Sequence, residues 1–178
     1  MSQTIQDFYR VAQQRDFARD YMLRVTSLGN NFFNEDDFVY ITTATLPGRD
    51  ITNQTATYMG LDFNFPGTVK YPGSAGWNVE FRADKSSLIR SKLEAWQRGQ
   101  IFNDQTSTGD LSVRGPESLI TLNQVDDKLN VLNVFNLYGA YIQKIGDVKY
   151  DISGTGQPLK FTATLAYHYW THGPKGNT

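Results

Sequence analysis

His168 and His172 are the only imidazoles in the chain, and on a strand their even spacing places both on one side. A metal ion would want a third ligand, and nothing nearby in sequence supplies an obvious one, so ordinary, partly exposed histidines are the favoured reading. Asp36-Asp37 and Asp126-Asp127 are the paired carboxylates to weigh for acid–base or cation chemistry. Their turn-like surroundings favour solvated loop carboxylates instead. Ser and Asp are plentiful, but no G-x-S-x-G pattern surrounds a nucleophile. Gly154-Thr155-Gly156 lacks the strand–helix context of a phosphate loop, and Asn53-Gln54-Thr55 matches a glycosylation acceptor by pattern only. Cys is absent, which excludes disulfides, thiolate catalysis and Cys-ligated metals. Tyr167, Tyr169 and Trp170 offer stacking surfaces for bases or sugars, yet such a strand more often gives one face to the core and the other to a contact. The expectation is a protein without catalytic residues, cofactor or metal. A hydrolase built on His168 is the weakest alternative.

The 178 residues suit one domain, spanning 1–178. With 17 basic and 18 acidic side chains and a formal net charge of -1, no general affinity for nucleic acid or anionic lipid is expected. No apolar run approaches the length of a membrane span, so no membrane partner is expected. The start, MSQTIQDFYRVAQQRDFARD, lacks the basic head and apolar block of a secretory signal, which predicts folding in a cytoplasm.

Periodicity supplies the elements. Ile5, Phe8 and Val11 predict a short helix over Ile5–Gln14, with Ser2 as its cap. Tyr21–Leu28 and Asp37–Leu46 read as strands. The second of these is partly apolar on both faces. Thr55–Phe63 reads as a further strand weakened by Gly60, and Trp77–Asp84 as one with Trp77, Val79, Phe81 and Ala83 facing in. The period then changes. Asp84 or Ser86 opens a helix on which Leu88, Ile89, Leu93 and Trp96 recur, and Gly99 stops it. Trp77, Phe81, Leu93 and Trp96 are expected to anchor this helix on the sheet. After a polar loop, Glu117–Asp126 and Lys128–Ile142 read as strands around an Asp126-Asp127 turn, and Leu159–His172 as the last. The fold class is mainly β: an antiparallel sandwich or barrel with one flanking α-helix and a short N-terminal helix.

The stretch Leu46–Gly73, LPGRDITNQTATYMGLDFNFPGTVKYPG, does not fit quietly into that picture. It has too many turn formers for a helix and too many large apolar groups for a free linker. A hairpin of this size is marginal alone and presents unpaired edges. Its apolar residues follow no single clean face, so burial on its own subunit does not satisfy them all. Covering each large side chain is worth roughly 1.5–3 kcal/mol. The sharper reading is an arm that docks on adjoining copies, with Leu46, Pro47, Met59, Leu61, Phe63 and Phe65 as inter-subunit contacts; the blander one is a long loop folded back on its own domain. Strands mixing Asn with aliphatics at 128–138 fit a sheet with one core face and one wet face. Head-to-tail contacts that close give a ring, and stacked rings a tube.

RDFARDYMLRVTSLG, ATLPGRD, the run from Ala56 to Gly99 and FTATLAYHYW, in this order, resemble the tail tube proteins of contractile-tailed bacteriophages, especially the T4-like group. The resemblance implies a β-barrel or sandwich with a flanking helix and homohexameric rings whose inner sheets fuse into one barrel. The arm at 46–73 would bridge neighbours within and between stacked rings. It implies tail sheath and baseplate proteins as partners, DNA passing through the lumen without sequence-specific binding, and a place in the virion tail after assembly in the host cytoplasm. The loop 101–116 and the tail THGPKGNT depart from the pattern. A baseplate tube initiator, or the tube of a secretion or injection system, is the alternative within the fold. A monomeric ligand- or carbohydrate-binding β domain is the alternative outside it, suggested by the 13% aromatic content.

Overall fold

The computed structural model describes residues 4–14, 17–29, 32–100, 103, 105–109 and 118–174. The expected Ser2 cap, most of the 101–116 loop, Glu117 and residues 175–178 of the tail lie outside them.

Helix α1 runs Ile5–Gln14. The cap that is seen is Thr4, whose hydroxyl oxygen accepts the Asp7 N–H at 3.2 Å and whose O–H donates to the Asp7 carboxylate at 2.9 Å. None of the α1 side chains is buried; Phe8 stacks on Phe17 with ring centroids 6.0 Å apart. Strand β1 is Leu23–Leu28, its expected first residues forming a short 3-10 turn over Asp20–Met22.

The expected strand over Asp37–Leu46 is a correction. Glu35–Tyr40 is a 3-10 helix, and only Ile41–Thr43 forms a strand, β2. The reason is local and then tertiary. Asp37 accepts the Asn34 N–H at 2.7 Å, while its own N–H donates to the Asn34 carbonyl at 3.0 Å, which closes the turn. Its carboxylate is buried and paired with Lys92 on the following helix. Asp37 is therefore no solvated loop carboxylate.

Strands β3 (Asp50–Tyr58) and β4 (Leu61–Lys70) form a two-stranded sheet of their own. Strand β5 is Trp77–Arg82 and helix α2 is Leu88–Gln100, so Gly99 lies inside the last turn rather than stopping it. Strands β6 (Ile120–Val125), β7 (Val131–Tyr138), β8 (Tyr141–Ile145), β9 (Lys160–Ala166) and β10 (Tyr169–Pro174) complete the chain. One four-stranded antiparallel sheet has the order β1-β6-β7-β10 and the other β2-β5-β9-β8. The mainly β, antiparallel expectation describes this architecture.

Two expected long strands are each two strands in different sheets. Lys128–Ile142 divides at Gly139 into β7 and β8, and Leu159–His172 divides at Tyr167–His168 into β9 and β10. The two crossings meet. The His168 N–H donates to the Tyr138 carbonyl at 2.9 Å, and the ring lies so close to Gly139 that a Cβ there would fall 1.9 Å from its Cδ2. Gly139 also has φ +64, where a side chain is strained. Because both crossings share one corner, the sheets close over a common core that includes Leu28, Val79, Phe81, Leu122, Leu137, Ile142 and Leu165.

Helix α2 seals that core with Ile89, Leu93 and Trp96, while Leu88 stays half-exposed. Phe32 and Phe33 cover Trp96, at 6.4 and 6.3 Å between ring centroids. The helix also lies along β8: Arg90 donates to the Gly146 carbonyl at 2.9 Å and Gln97 to the Ile142 carbonyl at 3.4 Å. Its first turn is capped by Asp84, whose carboxylate accepts the N–H groups of Leu88 at 2.8 Å and Ile89 at 3.2 Å. Burial pushes the Asp84 carboxyl up, but hydrogen bonds from Ser86, Leu88 and Ile89 outweigh it and hold the group below the usual carboxylate range. A depressed carboxylate stabilises the fold fully above its unfolded pKa, and loses that contribution as pH falls through its folded pKa. Asp84→Ala is expected to cost about 1 kcal/mol at neutral pH. The difference from the parent should shrink toward zero in acid, as read by urea denaturation across a pH series.

Candidate assembly surface

The segment from Leu46 to Gly73 folds as a hairpin, not as a single strand through Gly60. Met59 (φ +48) and Gly60 (φ +81) are the two central residues of a tight turn, and positive φ at both matches the twist of antiparallel strands. Folding back at this point corrects a second expectation, that the apolar residues share no face. Pairing sets Tyr58 opposite Leu61, Ala56 opposite Phe63 and Gln54 opposite Phe65. Those side chains lie on one face, where Phe63 and Phe65 stack at 6.3 Å. The other face carries Thr57, which donates to Asp62 at 2.7 Å, and Thr55, which donates to Asn64 at 2.7 Å. The hairpin is amphipathic only once it is paired.

Among the described residues, the apolar face is left largely open. Met59 is 89% exposed, Leu61 68% and Phe63 64%; Leu46 and Phe65 are about half-exposed. Among the described residues β3 and β4 pair only with each other, so each keeps a bare edge. Nine residues in β3 give a reach of about 30 Å at roughly 3.4 Å per residue.

The hairpin's root, by contrast, is held firmly. Trp170 on β10 donates its indole N–H to the Gly48 carbonyl at 2.9 Å, and the Arg49 guanidinium lies 5.4 Å from the Trp170 ring centre. Tyr71 meets Tyr169 and Trp170 edge-on at 6.4 and 6.2 Å. Trp77 donates to the Thr45 carbonyl at 2.7 Å. Sequence reading missed this clamp, because it offered Tyr169 and Trp170 only as stacking surfaces or as strand aromatics. Trp77, Phe81, Leu93 and Trp96 are all buried in the one core, with Phe81 stacked on Phe161 at 5.6 Å.

The remaining candidate chemistry is dispersed. His168 occupies the sheet crossing and His172 stacks on Phe135 at 5.5 Å within β10, so the two do not share a strand as expected. Asp126 holds its turn, accepting from Lys128 N–H, Asn130 N–H and the Asn130 amide. The Asn130 side chain is the main cause that sets its pKa below the usual range. Among the described residues, no group of three or more His, Cys, Asp or Glu side chains is placed to hold a metal ion, and no helix is long and apolar enough to cross a membrane. A groove of about 630 Å³ lies between β1 and the 35–44 segment, with Leu23, Val25, Phe38 and Ile41 in its walls and Asp20 and Glu35 among its acidic groups.

No family model matches the chain. It is 24% identical over 168 residues to the tail tube protein gp19 of Enterobacteria phage T4, a match that covers 93% of this chain and 98% of that protein. In fold it is similar to a chain of the tube-terminating cap of the anti-feeding prophage, with TM-score 0.56, 15% identity and 90% and 97% of the two chains covered. It is also similar to a chain of the extended sheath–tube complex of the PVC extracellular contractile injection system, with TM-score 0.51, 14% identity and 97% and 99% covered. The resemblance to phage tail tube proteins carried by the ordered sequence motifs thus extends from end to end. Because the hairpin packs only at its root, replacing residues 51–69 by two glycines is expected to change unfolding free energy by no more than about 1 kcal/mol, measured by urea denaturation of the monomer.

Proposed function

We propose that this protein is a structural subunit of a contractile-tail tube, assembling into stacked hexameric rings around a channel that passes the genome into the host. The observation that carries the reading is the hairpin: its apolar face and both strand edges are bare in a single copy, and its root is fixed so that it projects. The end-to-end likeness to a phage tail tube protein supports the same conclusion. Leu46, Pro47, Met59, Leu61, Phe63 and Phe65 are the contacts with adjoining copies, within a ring and between rings. Sheath and baseplate proteins are the partners on the tube's outer wall and at its end, and the virion tail is its place. Six exposed or half-exposed groups on one arm are a docking device, whereas a monomeric binding domain has no use for a projecting apolar hairpin.

Met59→Asp together with Phe63→Asp is expected to leave a folded monomer, with near-parental circular dichroism, and to abolish tube growth in negative-stain micrographs. Tubes of normal length from that variant would overturn the arm's role. A parent protein that stops at single rings would instead point to a tube initiator.

A further inference from the structure

Helix α1 is a second apolar surface left open among the described residues. Ile5, Phe8, Tyr9, Val11 and Ala12 fall on one side of the helix, and Gln6, Asp7, Arg10, Gln13 and Gln14 on the other. Ile5 is 88% exposed, and Phe8, Tyr9 and Val11 are exposed as well, although Phe17 stacks on Phe8. Isolated helices shorter than about 12–15 residues are marginal in water, and a protein helix is held mainly by burial of its apolar face. α1 has 10 residues and buries none. Its stability therefore calls for an apolar surface laid against it. An anionic bilayer is a poor match, because helices that lie on one carry Lys and Arg along the polar face. The two charges of α1 are Asp7 and Arg10, paired at 3.6 Å.

The hairpin offers the complementary surface. Its apolar face runs from the Gln54–Phe65 pair to the Tyr58–Leu61 pair, five residues on each strand, or about 17 Å. The ten residues of α1 are about 15 Å long. With its side chains a helix is about 10 Å across, enough to cover two strands about 4.8 Å apart. Neither face carries a charged side chain, so closing them together strands no ion.

Within one copy the two surfaces stay apart, and the register shows why. Leu23, Gln124, Asn133 and Pro174 lie in one row across the first sheet, and Leu28, Ile120, Leu137 and Trp170 in another, at its opposite end. α1 leads into the Leu23 end of β1, whereas the hairpin is clamped at Trp170 on the far margin. Complementary surfaces at opposite corners of one subunit make a head-to-tail contact, which propagates instead of closing on a pair.

We infer that, in the assembly proposed above and resting on that reading, α1 of one copy lays its Ile5, Phe8, Tyr9 and Ala12 side on the Phe63–Phe65 face of another copy's hairpin. One contact then covers two exposed apolar surfaces and holds a helix too short to hold itself. The Thr55, Thr57, Asp62 and Asn64 face of the hairpin stays turned away from the helix.

The chain has no cysteine, so engineered thiols report cleanly. Ala12→Cys puts a thiol on the apolar side of α1, Ala56→Cys one on the apolar face of the hairpin, and Thr57→Cys one on its polar face. Single variants are mixed in equal amounts, assembled, oxidised with copper phenanthroline and run on a non-reducing denaturing gel. Ala12→Cys with Ala56→Cys is expected to give a cross-linked pair that neither gives alone, and Ala12→Cys with Thr57→Cys none. The chain carrying both Ala12→Cys and Ala56→Cys is expected to give a ladder, since each copy then joins two others. A ladder that stops at the pair would overturn the head-to-tail contact. No cross-link in assemblies that form normally, or an equal yield from Thr57→Cys, would overturn the assignment of α1 to the hairpin. A parent protein that never assembles would overturn the assembly reading itself. Ile5→Gln with Phe8→Gln alters exposed side chains and is expected to keep the parental monomer, by size-exclusion chromatography and urea denaturation, while losing tube growth. Tubes of parental length from that variant would also overturn the inference.

Discussion

The architecture depends on the corner where Gly139 meets His168. Two strands change sheets there, side by side, and each crossing needs the other. The first requires a residue with positive φ and no side chain; the second lays an imidazole into the space a side chain would fill and donates a hydrogen bond to Tyr138. Without this pairing of bends, β7–β8 and β9–β10 would be two long strands of a flat sheet with a single exposed apolar face. With it, two sheets share one core, and the strands left at the margins are β1, β10, β2 and β8. Which edges are bare is thus a consequence of where the chain turns the corner.

The same corner explains what sequence patterning conveys and what it conceals. Alternation runs unbroken through Leu159–His172, because Phe161, Ala163, Leu165 and Tyr167 face the core right up to the bend. A local pattern has no sign for a change of sheet except a glycine, and Gly139 has no counterpart on the other crossing. Helix α2 was legible because its capping carboxylate and its apolar spacing agree. The 37–46 segment was not, because its β-branched and aromatic content describes a strand, while the Asn34–Asp37 turn and the pairing of Asp37 with Lys92 fold its first residues otherwise. In the hairpin the turn sits at Met59-Gly60, and Met is a rare choice at positive φ. Reading through it scattered the apolar residues over two faces. The root clamp was concealed for another reason: Trp170 and Gly48 are brought together only by the tertiary fold.

A rigid root and an uncovered tip make a coherent pair. An apolar arm that flexed freely would collapse onto its own body or onto any other apolar surface. The indole of Trp170, bonded to Gly48 and flanked by Arg49 and Tyr71, sets the hairpin's exit direction. In the proposed assembly, that pre-organisation would reduce the ordering entropy to be lost on docking.

Magnitudes bear on how the proposed assembly would be balanced. Covering five large side chains on the hairpin yields about 7–15 kcal/mol. Bringing two molecules together costs about 4–15 kcal/mol in lost translational and rotational freedom. One hairpin contact therefore roughly breaks even, and isolated pairs do not accumulate. In the ring proposed above each copy would both give and receive a hairpin, while each added copy would meet the association cost only once. The proposed assembly, with that balance, would be slow to start and firm once a ring exists.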